Sequence, residues 1–139
     1  AASDVYKRQL LMKKGYPCIF YGDYYGVKGK KSPHRKVLDM LLRARKEYAY
    51  GEEVDYFDHP NTIGFVRLGD SGHADSGLAV VISNGEDGEK TMSVGENRKG
   101  EVWHEITGSV KDTVTIDEEG KGRFLVKGGK LAVWVKVKA

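Results

Sequence analysis

The sequence has a single cysteine, Cys18, and only three prolines among its 139 residues. A lone cysteine excludes an internal disulfide framework and any zinc site built from several cysteines. No apolar run approaches the ~20 residues needed to cross a bilayer, so we expect no membrane partner. The 18 glycines indicate many tight turns, which favours short strands over long helices.

A concentration of charge of one sign is also missing. The formal net charge is +3 at pH 7, and the lysines are scattered along the chain. The densest basic cluster, formed by Lys28, Lys30 and Lys31, lies in a predicted loop. Because nucleic-acid-binding domains collect their basic residues on one face, the sequence argues against a nucleic-acid partner.

The common catalytic motifs are absent as well. The sequence contains no G-x-S-x-G nucleophile elbow, no P-loop and no H-E-x-x-H zinc motif. His59 follows Asp58 and could act as a ligand or a base, but a histidine hydrogen-bonded at a domain junction is the favoured interpretation. His104 lies between Trp103 and Glu105 on a predicted strand, so we expect its side chain on the opposite face from theirs.

Residues 10–51 have the pattern of one β/α unit. Residues 18–21 are four consecutive apolar residues, which predicts a strand covered on both faces, as in a parallel sheet. Ser32 and Pro33 indicate a helix start, and apolar residues at 3.6-residue spacing predict a helix over 32–50. Such a unit cannot form a domain alone.

Residues 52–139 have the pattern of a small β domain, because the apolar period changes there from 3.6 to 2. Turn pairs such as Asn84-Gly85 and Gly128-Gly129 separate the strands, and the second pair predicts a closing hairpin. The predicted strands are 54–57, 62–68, 78–83, 90–94, 102–107, 113–116, 123–127 and 131–137.

The first nine residues have no clear period, and we interpret 1–9 as a non-native leader, with a helix start capped by Ser3 as the alternative.

Three sets of residues are candidates for sugar binding. Asp23 follows the predicted parallel strand, at the end where active sites of α/β proteins collect, although a structural carboxylate that bonds loop amides is the favoured alternative. Trp103 and Trp134 could form a sugar-stacking platform, although their apolar neighbours favour a core role. Tyr24 and Tyr25 are further candidates for an exposed platform.

Several stretches together resemble bacterial α-amylases. GYPCIFYGDYYG resembles the eighth barrel strand of this large family of retaining starch hydrolases. RARKEYAYGEEVDYFDHPNTIGFVR resembles the helix that follows and the entry into the C-terminal β domain. GLAVVISNGEDGEKTMSVGENRKGEVWHEITG and GGKLAVWVKV match the rest of that domain. The resemblance runs from about residue 10 to the end, and several stretches are specific to the liquefying-type branch.

The resemblance implies the last β/α unit of a (β/α)8 barrel over residues 10–51, followed by an all-β Greek-key sandwich over 52–139. It implies a parent enzyme that hydrolyses internal α-1,4-glucosidic bonds of starch or glycogen with retention. The expected partners are the α-1,4-glucan and the remainder of the barrel, which the β domain would stabilise. Asp23 and Tyr25, at the barrel strand end, are then expected to contact substrate. The family's three catalytic carboxylates map onto no residue here, so we expect this chain alone to be inactive.

The resemblance also bears on metal binding and localisation. Secreted liquefying amylases often hold calcium between barrel and C-terminal domain, and the matching positions here are Pro60, Asn61 and Asn84. These lack the imidazole and two carboxylates, so we expect no metal in this chain, while the parent could bind calcium in the barrel region. The stretches DHPN and SNGEDGEKT, together with Cys18, favour a cytoplasmic parent, with secretion as the alternative.

The alternative function is a free-standing carbohydrate-binding β-sandwich module, which exposed aromatic side chains would support. In either case residues 10–51 would expose apolar surface that a complete barrel covers. The sequence therefore predicts that the chain self-associates or that its first ~50 residues are mobile, while residues 52–139 fold.

Overall fold

The computed structural model describes residues 8–14, 17–19, 21–33 and 35–138. Most of the predicted leader lies outside these ranges. Within them no helix is both long and apolar enough to cross a bilayer. The elements in chain order are helices α1 (Tyr21–Tyr25) and α2 (Arg35–Glu47), strands β1 (Glu53–Tyr56), β2 (Thr62–Arg67), β3 (Leu78–Ser83) and β4 (Gly88–Ser93), a 3₁₀ turn (Glu96–Arg98), and strands β5 (Val102–Glu105), β6 (Thr113–Thr115), β7 (Lys121–Val126) and β8 (Leu131–Lys136).

The strands form two antiparallel sheets that face each other. The larger sheet has the order β1-β2-β3-β8-β5-β6, and the smaller one consists of β4 and β7. Strand β8 lies between β3 and β5, so the chain returns to the middle of the sheet instead of adding strands in sequence. The predicted antiparallel β domain is confirmed.

The predicted closing hairpin is wrong, because β7 and β8 belong to different sheets. The turn between them crosses the sandwich, and the Asp87 carboxylate accepts a hydrogen bond from the Gly128 N–H at 2.8 Å. The Trp134 indole N–H on β8 donates to the carbonyl of Leu125 on β7 at 3.0 Å. Strands β7 and β8 therefore face each other across the core instead of pairing edge to edge.

The core between the sheets is built around three aromatic rings. Trp103, Phe124 and Trp134 are fully buried, and the Phe124 ring centroid lies 5.9 Å from each indole. His104 is exposed between buried Trp103 and Glu105, as the strand period predicts. The aliphatic and methionine side chains that pack around these rings are Val66, Ala79, Val81, Met92, Val94, Val110, Val114, Ile116, Val126 and Ala132.

A second core covers the other face of the six-stranded sheet. Helix α2 places Leu38, Leu41 and Ala44 on one side at helical spacing, and all three are buried. They pack, together with Leu10 and Leu11, against the sheet side chains Phe65, Leu78, Val80, Leu131, Val133 and Val135. The molecule thus has three layers, which are a helix, a six-stranded sheet and a two-stranded sheet.

Hydrogen bonds also join the first part of the chain to the β domain, while the predicted self-association or mobility of the first ~50 residues stays a prediction. Buried Arg67 donates to the Leu11 carbonyl at 3.1 Å, and Arg45 donates to the Leu10 carbonyl at 2.8 Å. The Lys13 N–H donates to the Glu53 carboxylate at 2.8 Å. Burial lowers the pKa of Arg67 from its ordinary value. The segment before α1 and helix α2 are both attached to the β domain.

The predicted buried strand over residues 18–21 is wrong for this structure. Cys18 is exposed, and Tyr21 begins helix α1 with 72% of its surface accessible. Phe20 lies outside the described residues. A parallel strand needs neighbouring strands to satisfy its backbone N–H and C=O groups, and no such strand lies beside residues 17–19 in the described part of the chain. The structure does not show a barrel unit.

Candidate functional site

Helix α1 gathers three tyrosines at the surface. The i, i+4 spacing brings Tyr21 and Tyr25 together with ring centroids 4.6 Å apart, and Tyr24 meets Tyr25 edge-on at 4.8 Å. The Arg35 guanidinium, in the first turn of α2, lies 4.8 Å from the Tyr24 ring centroid and 5.6 Å from that of Tyr25. We call these four residues the tyrosine cluster.

One polar contact fixes the position of Tyr24 within the cluster. Its hydroxyl donates to Asp39 Oδ1 at 2.6 Å, and this hydrogen bond raises the pKa of Tyr24 above its ordinary value. Arg35 Nε lies 4.0 Å from Asp39 Oδ2 and acts in the opposite direction on that pKa. Tyr24 is therefore a neutral hydrogen-bonding group at physiological pH.

An open cavity of about 400 Å³ lies beside the cluster. Exposed aromatic faces with polar groups around them form a surface on which an apolar sugar face can stack while its hydroxyls are hydrogen-bonded. Retaining glycoside hydrolysis needs two carboxyl groups about 5–5.5 Å apart, and Asp39 is the only carboxylate among the described lining residues. The described lining residues thus offer a surface for sugar binding but do not supply this pair of carboxyl groups. Its lining residues are Tyr24, Tyr25, Lys31, Ser32, Arg35, Lys36 and Asp39.

Of the candidates from the sequence, Tyr25 lies in this cavity and is 57% exposed. The backbone of Asp23 belongs to α1, but its side chain lies outside the described residues. Arg35 was missed, because only the fold of the intervening loop brings it over rings that lie ten and eleven positions earlier. An arginine close after an aromatic pair was the signal available in the sequence.

The predicted sugar platform of Trp103 and Trp134 is wrong. Both indoles are fully buried between the sheets, so neither presents a face to a sugar ring. Their N–H groups are satisfied internally, by Glu101 Oε2 at 3.0 Å and by the Leu125 carbonyl at 3.0 Å. The core role is confirmed.

A second surface cleft, of about 570 Å³, lies where the start of β2 meets the turn after β3. His59 Nδ1 accepts hydrogen bonds from the backbone N–H groups of Asn61 at 3.1 Å and Thr62 at 3.2 Å. The Asn84 N–H donates to the Asn61 carbonyl at 3.1 Å, which joins the two segments. His59 is thus hydrogen-bonded through Nδ1 within its own turn. Its predicted place at a domain junction stays a prediction.

Comparison with known proteins shows which proteins this chain resembles in sequence. It is 47% identical over 131 residues to a glucan 1,4-alpha-maltohexaosidase of Bacillus sp. (strain 707), covering 94% of this chain and 25% of that protein. It is also 47% identical over 131 residues to an alpha-amylase of Bacillus licheniformis, covering 91% of this chain and 26% of that protein. The chain belongs to the bacterial α-amylase family and corresponds to the C-terminal part of its members.

Further comparisons agree with this assignment. A cytoplasmic alpha-amylase of Escherichia coli (strain K12) is 38% identical over 137 residues, covering 91% of this chain and 27% of that protein. The α-amylase segment therefore spans about a quarter of the length of the curated relatives it matches. A solved α-amylase from Malbranchea cinnamomea has the same fold, with a TM-score of 0.70 at 13% identity, over 97% of this chain and 32% of that one. No family model matches the chain.

The residues of the cleft beside His59 do not fit a calcium ion of the kind that secreted liquefying amylases often hold between barrel and C-terminal domain. Calcium takes six to eight oxygen ligands, several of them anionic. Here Asn61 and Asn84 are neutral, and Asp87 accepts hydrogen bonds from the Gly128 N–H and from Lys127 Nζ, which lower its pKa. In the described part of the chain no three or more histidine, cysteine or acidic side chains surround a common point. That this α-amylase segment binds no calcium remains a prediction.

We expect the double substitution Asn61→Asp with Asn84→Asp to give this α-amylase segment calcium-dependent stability that the native chain lacks. The two carboxylates would lie on segments that already contact each other, so a cation could bridge them. Thermal unfolding with added calcium and with a chelator measures the effect, and the Asn61→Gln and Asn84→Gln double variant is the uncharged control. A calcium-dependent rise in Tm for the native chain would contradict the expectation.

Proposed function

We propose that the chain is the supporting C-terminal part of a longer enzyme that hydrolyses internal α-1,4-glucosidic bonds of starch or glycogen with retention. The observation that carries the proposal is the 47% identity to two glucan-degrading Bacillus enzymes across more than nine-tenths of this chain. The catalytic carboxylates would lie in the remainder of the protein. This chain would then be inactive alone, in keeping with the single described carboxylate at the tyrosine-cluster cavity.

We propose that the supporting role rests on the side of the molecule formed by α1, the following loop and α2. Several large apolar side chains are exposed there, among them Tyr21, Tyr25, Val27 and Leu42. The remainder of a (β/α)8 barrel would cover this apolar surface, and α2 would transmit the contact to the sheet through Leu38 and Leu41. Burial of this surface would contribute the free energy that holds barrel and β domain together.

A hydrolysis assay on maltooligosaccharides and starch tests the proposal. The 139-residue chain is compared with a chain that continues upstream through a complete barrel. We expect reducing ends to appear only with the longer chain, and the anomeric configuration of the first product to be retained. Hydrolysis by the 139-residue chain itself would contradict the proposal, and so would an inactive longer chain that is shown to be folded.

The tyrosine cluster supports a second candidate function, which is carbohydrate binding by the chain itself. Titration of maltooligosaccharides into the native chain should then show saturable binding that Tyr25→Ala weakens. The matched control is Phe57→Ala, because Phe57 is another exposed aromatic residue, 48% accessible, on a different surface. Binding that both variants leave unchanged would exclude the cluster. Asp23 is tested in the same way with Asp23→Asn.

We also propose that the parent protein is cytoplasmic. One relative is named a cytoplasmic alpha-amylase, and the single cysteine of this chain carries an exposed thiol, which a reducing compartment would keep reduced. Immunodetection of the parent protein in cell lysate and in culture medium tests this proposal. Accumulation in the medium of intact cells would contradict it.

A further inference from the structure

The turn between β3 and β4 carries the one Asn-Gly pair of the sequence, at Asn84-Gly85. Both residues are exposed, and so are Glu86 and Asp87, which follow them. Among the described residues, the hydrogen bond given for the Gly85 N–H is a long one, 3.3 Å to the Ser83 hydroxyl. This backbone nitrogen is therefore accessible and weakly held. It is also the atom that can attack the preceding side-chain amide.

The other two asparagines lack this combination. Asn61 precedes Thr62, whose branched side chain crowds the backbone nitrogen and whose N–H donates to His59 Nδ1. Asn97 lies in the 3₁₀ turn, where the following nitrogen, of Arg98, donates to the Gly95 carbonyl at 3.0 Å. At both sites the backbone nitrogen that would attack already donates a hydrogen bond.

The neighbouring Asp87-Gly88 pair is also protected. The Asp87 carboxylate accepts the Gly128 N–H at 2.8 Å and contacts Lys127 Nζ at 3.3 Å, so it is held away from its own backbone. Gly88 is the first residue of β4 and lies in register with Val126 of β7. The exposed, flexible glycine after Asn84 distinguishes that site.

We propose that Asn84 is a site of spontaneous deamidation. The Gly85 nitrogen gives up its proton to a solvent base and bonds to Asn84 Cγ. The Cγ–Nδ2 bond breaks, and Nδ2 takes a proton from solvent and leaves as ammonia, so that a five-membered succinimide remains. Water then opens the ring. Cleavage of the bond from the Gly85 nitrogen to Cγ gives aspartate, and cleavage of its bond to the Asn84 backbone carbonyl carbon gives isoaspartate. Asparagine is among the thermally labile residues, and no enzyme or cofactor is required.

The modification would change the cleft beside His59. It adds a carboxylate to a turn that already holds Glu86 and Asp87, so like charges accumulate there. The isoaspartate product also lengthens the main chain by one carbon at the residue whose N–H donates to the Asn61 carbonyl. This inference concerns the turn alone and does not rest on the proposed function.

The test is to age the folded native chain in mildly alkaline buffer and follow all three asparagines by peptide mass mapping, with fragment spectra that distinguish aspartate from isoaspartate. We expect Asn84 to convert first, to a mixture of both products, while Asn61 and Asn97 keep their amides. Asn84→Asp provides the reference for the aspartate product. The proposal is overturned if the Asn84 amide survives as long as that of Asn97.

Gly85→Ala is the matched control. A Cβ at this position would meet no atom within 4 Å, so the variant should keep the native fold. The methyl group crowds the attacking nitrogen, and we expect conversion of Asn84 to slow roughly tenfold, equivalent to about 1.4 kcal/mol in the activation barrier. An unchanged rate in folded Gly85→Ala would show that the residue 85 nitrogen is not the nucleophile, and would overturn the proposed route.

Discussion

Replacement of Leu41 by alanine should lower the free energy of unfolding by about 2–5 kcal/mol, the range for removal of a buried leucine. Leu41 is fully buried where α2 meets the six-stranded sheet, among Phe65, Val80 and Val133. Its loss leaves a cavity that the rigid sheet below cannot collapse to fill. Urea denaturation measures the effect, with far-UV circular dichroism and tryptophan fluorescence recorded on the same samples.

The two probes show whether helix α2 unfolds cooperatively with the β domain or independently of it. Trp103 and Trp134 report on the sandwich core, on the other side of the sheet from α2. If α2 unfolds together with the β domain, Leu41→Ala shifts the midpoints of both signals equally. If the fluorescence midpoint stays unchanged, the helix is energetically independent and the three-layer description is contradicted. Leu42→Ala is the matched control, because its side chain is on the outer face of the same helix and 36% exposed.

The strands of this chain could be predicted more reliably than their arrangement. Alternating apolar residues and glycine turns located every strand to within about two residues, because both signals are local. Pairing is not local. The Gly128-Gly129 turn has the composition of a hairpin, yet the strands on either side join different sheets. Packing of the indole of Trp134 against β7 across the core decides this, and no turn residue encodes it.

A continuous apolar run predicts a strand that is covered on both faces. In this chain the rule holds for β3 and β8, but not for residues 18–21. Strands β3 and β8 are such runs, with Leu78, Val80, Val133 and Val135 facing α2 and their neighbours facing the sandwich core. Residues 18–21 have the same composition without neighbouring strands in the described structure. The rule identifies a segment that can be covered on both faces, and the available partners decide whether it is.

Some residues of the candidate site could likewise be predicted from local sequence signals, and others could not. Tyr25 could be predicted, since an exposed aromatic residue in a loop-like segment is a recognisable signal. Trp103 and Trp134 could be assigned either to the core or to a platform, because strand alternation does not say which face is covered. Arg35 could not be predicted at all, since its position over Tyr24 and Tyr25 depends on how the intervening loop folds.

Glu105 should be the acidic side chain with the largest effect on stability. It is buried, only 7% exposed, on the core side of β5. Its carboxylate accepts the backbone N–H groups of Val133 at 2.8 Å, Thr107 at 2.9 Å and Ser109 at 3.0 Å, as well as the Thr107 hydroxyl at 2.7 Å. One side chain therefore satisfies donors of central strand β8 and of the loop after β5.

Substitution of Glu105 by alanine leaves these donors without a partner, and each unsatisfied buried donor costs about 1–3 kcal/mol. We expect Glu105→Ala to lower the free energy of unfolding by about 3 kcal/mol or more, and the amides of Val133 and Ser109 to exchange with solvent faster than in the native chain. Glu105→Gln should also be destabilising, because its NH₂ group would face N–H donors. Urea denaturation and hydrogen exchange measure these effects.

Glu118→Ala is the control for loss of a carboxylate as such. The Glu118 side chain is 92% exposed and lies 3.7 Å from Lys99 Nζ, an arrangement that contributes little to stability. Its removal should therefore leave the unfolding midpoint nearly unchanged. If Glu105→Gln were as stable as the native chain, two anionic acceptor oxygens would not be needed, and the view that this carboxylate organises β8 and the loop after β5 would have to be abandoned. If Gln and Ala are both destabilising while Glu118→Ala is neutral, the stabilisation belongs to the buried acceptor geometry and not to the net charge of the chain.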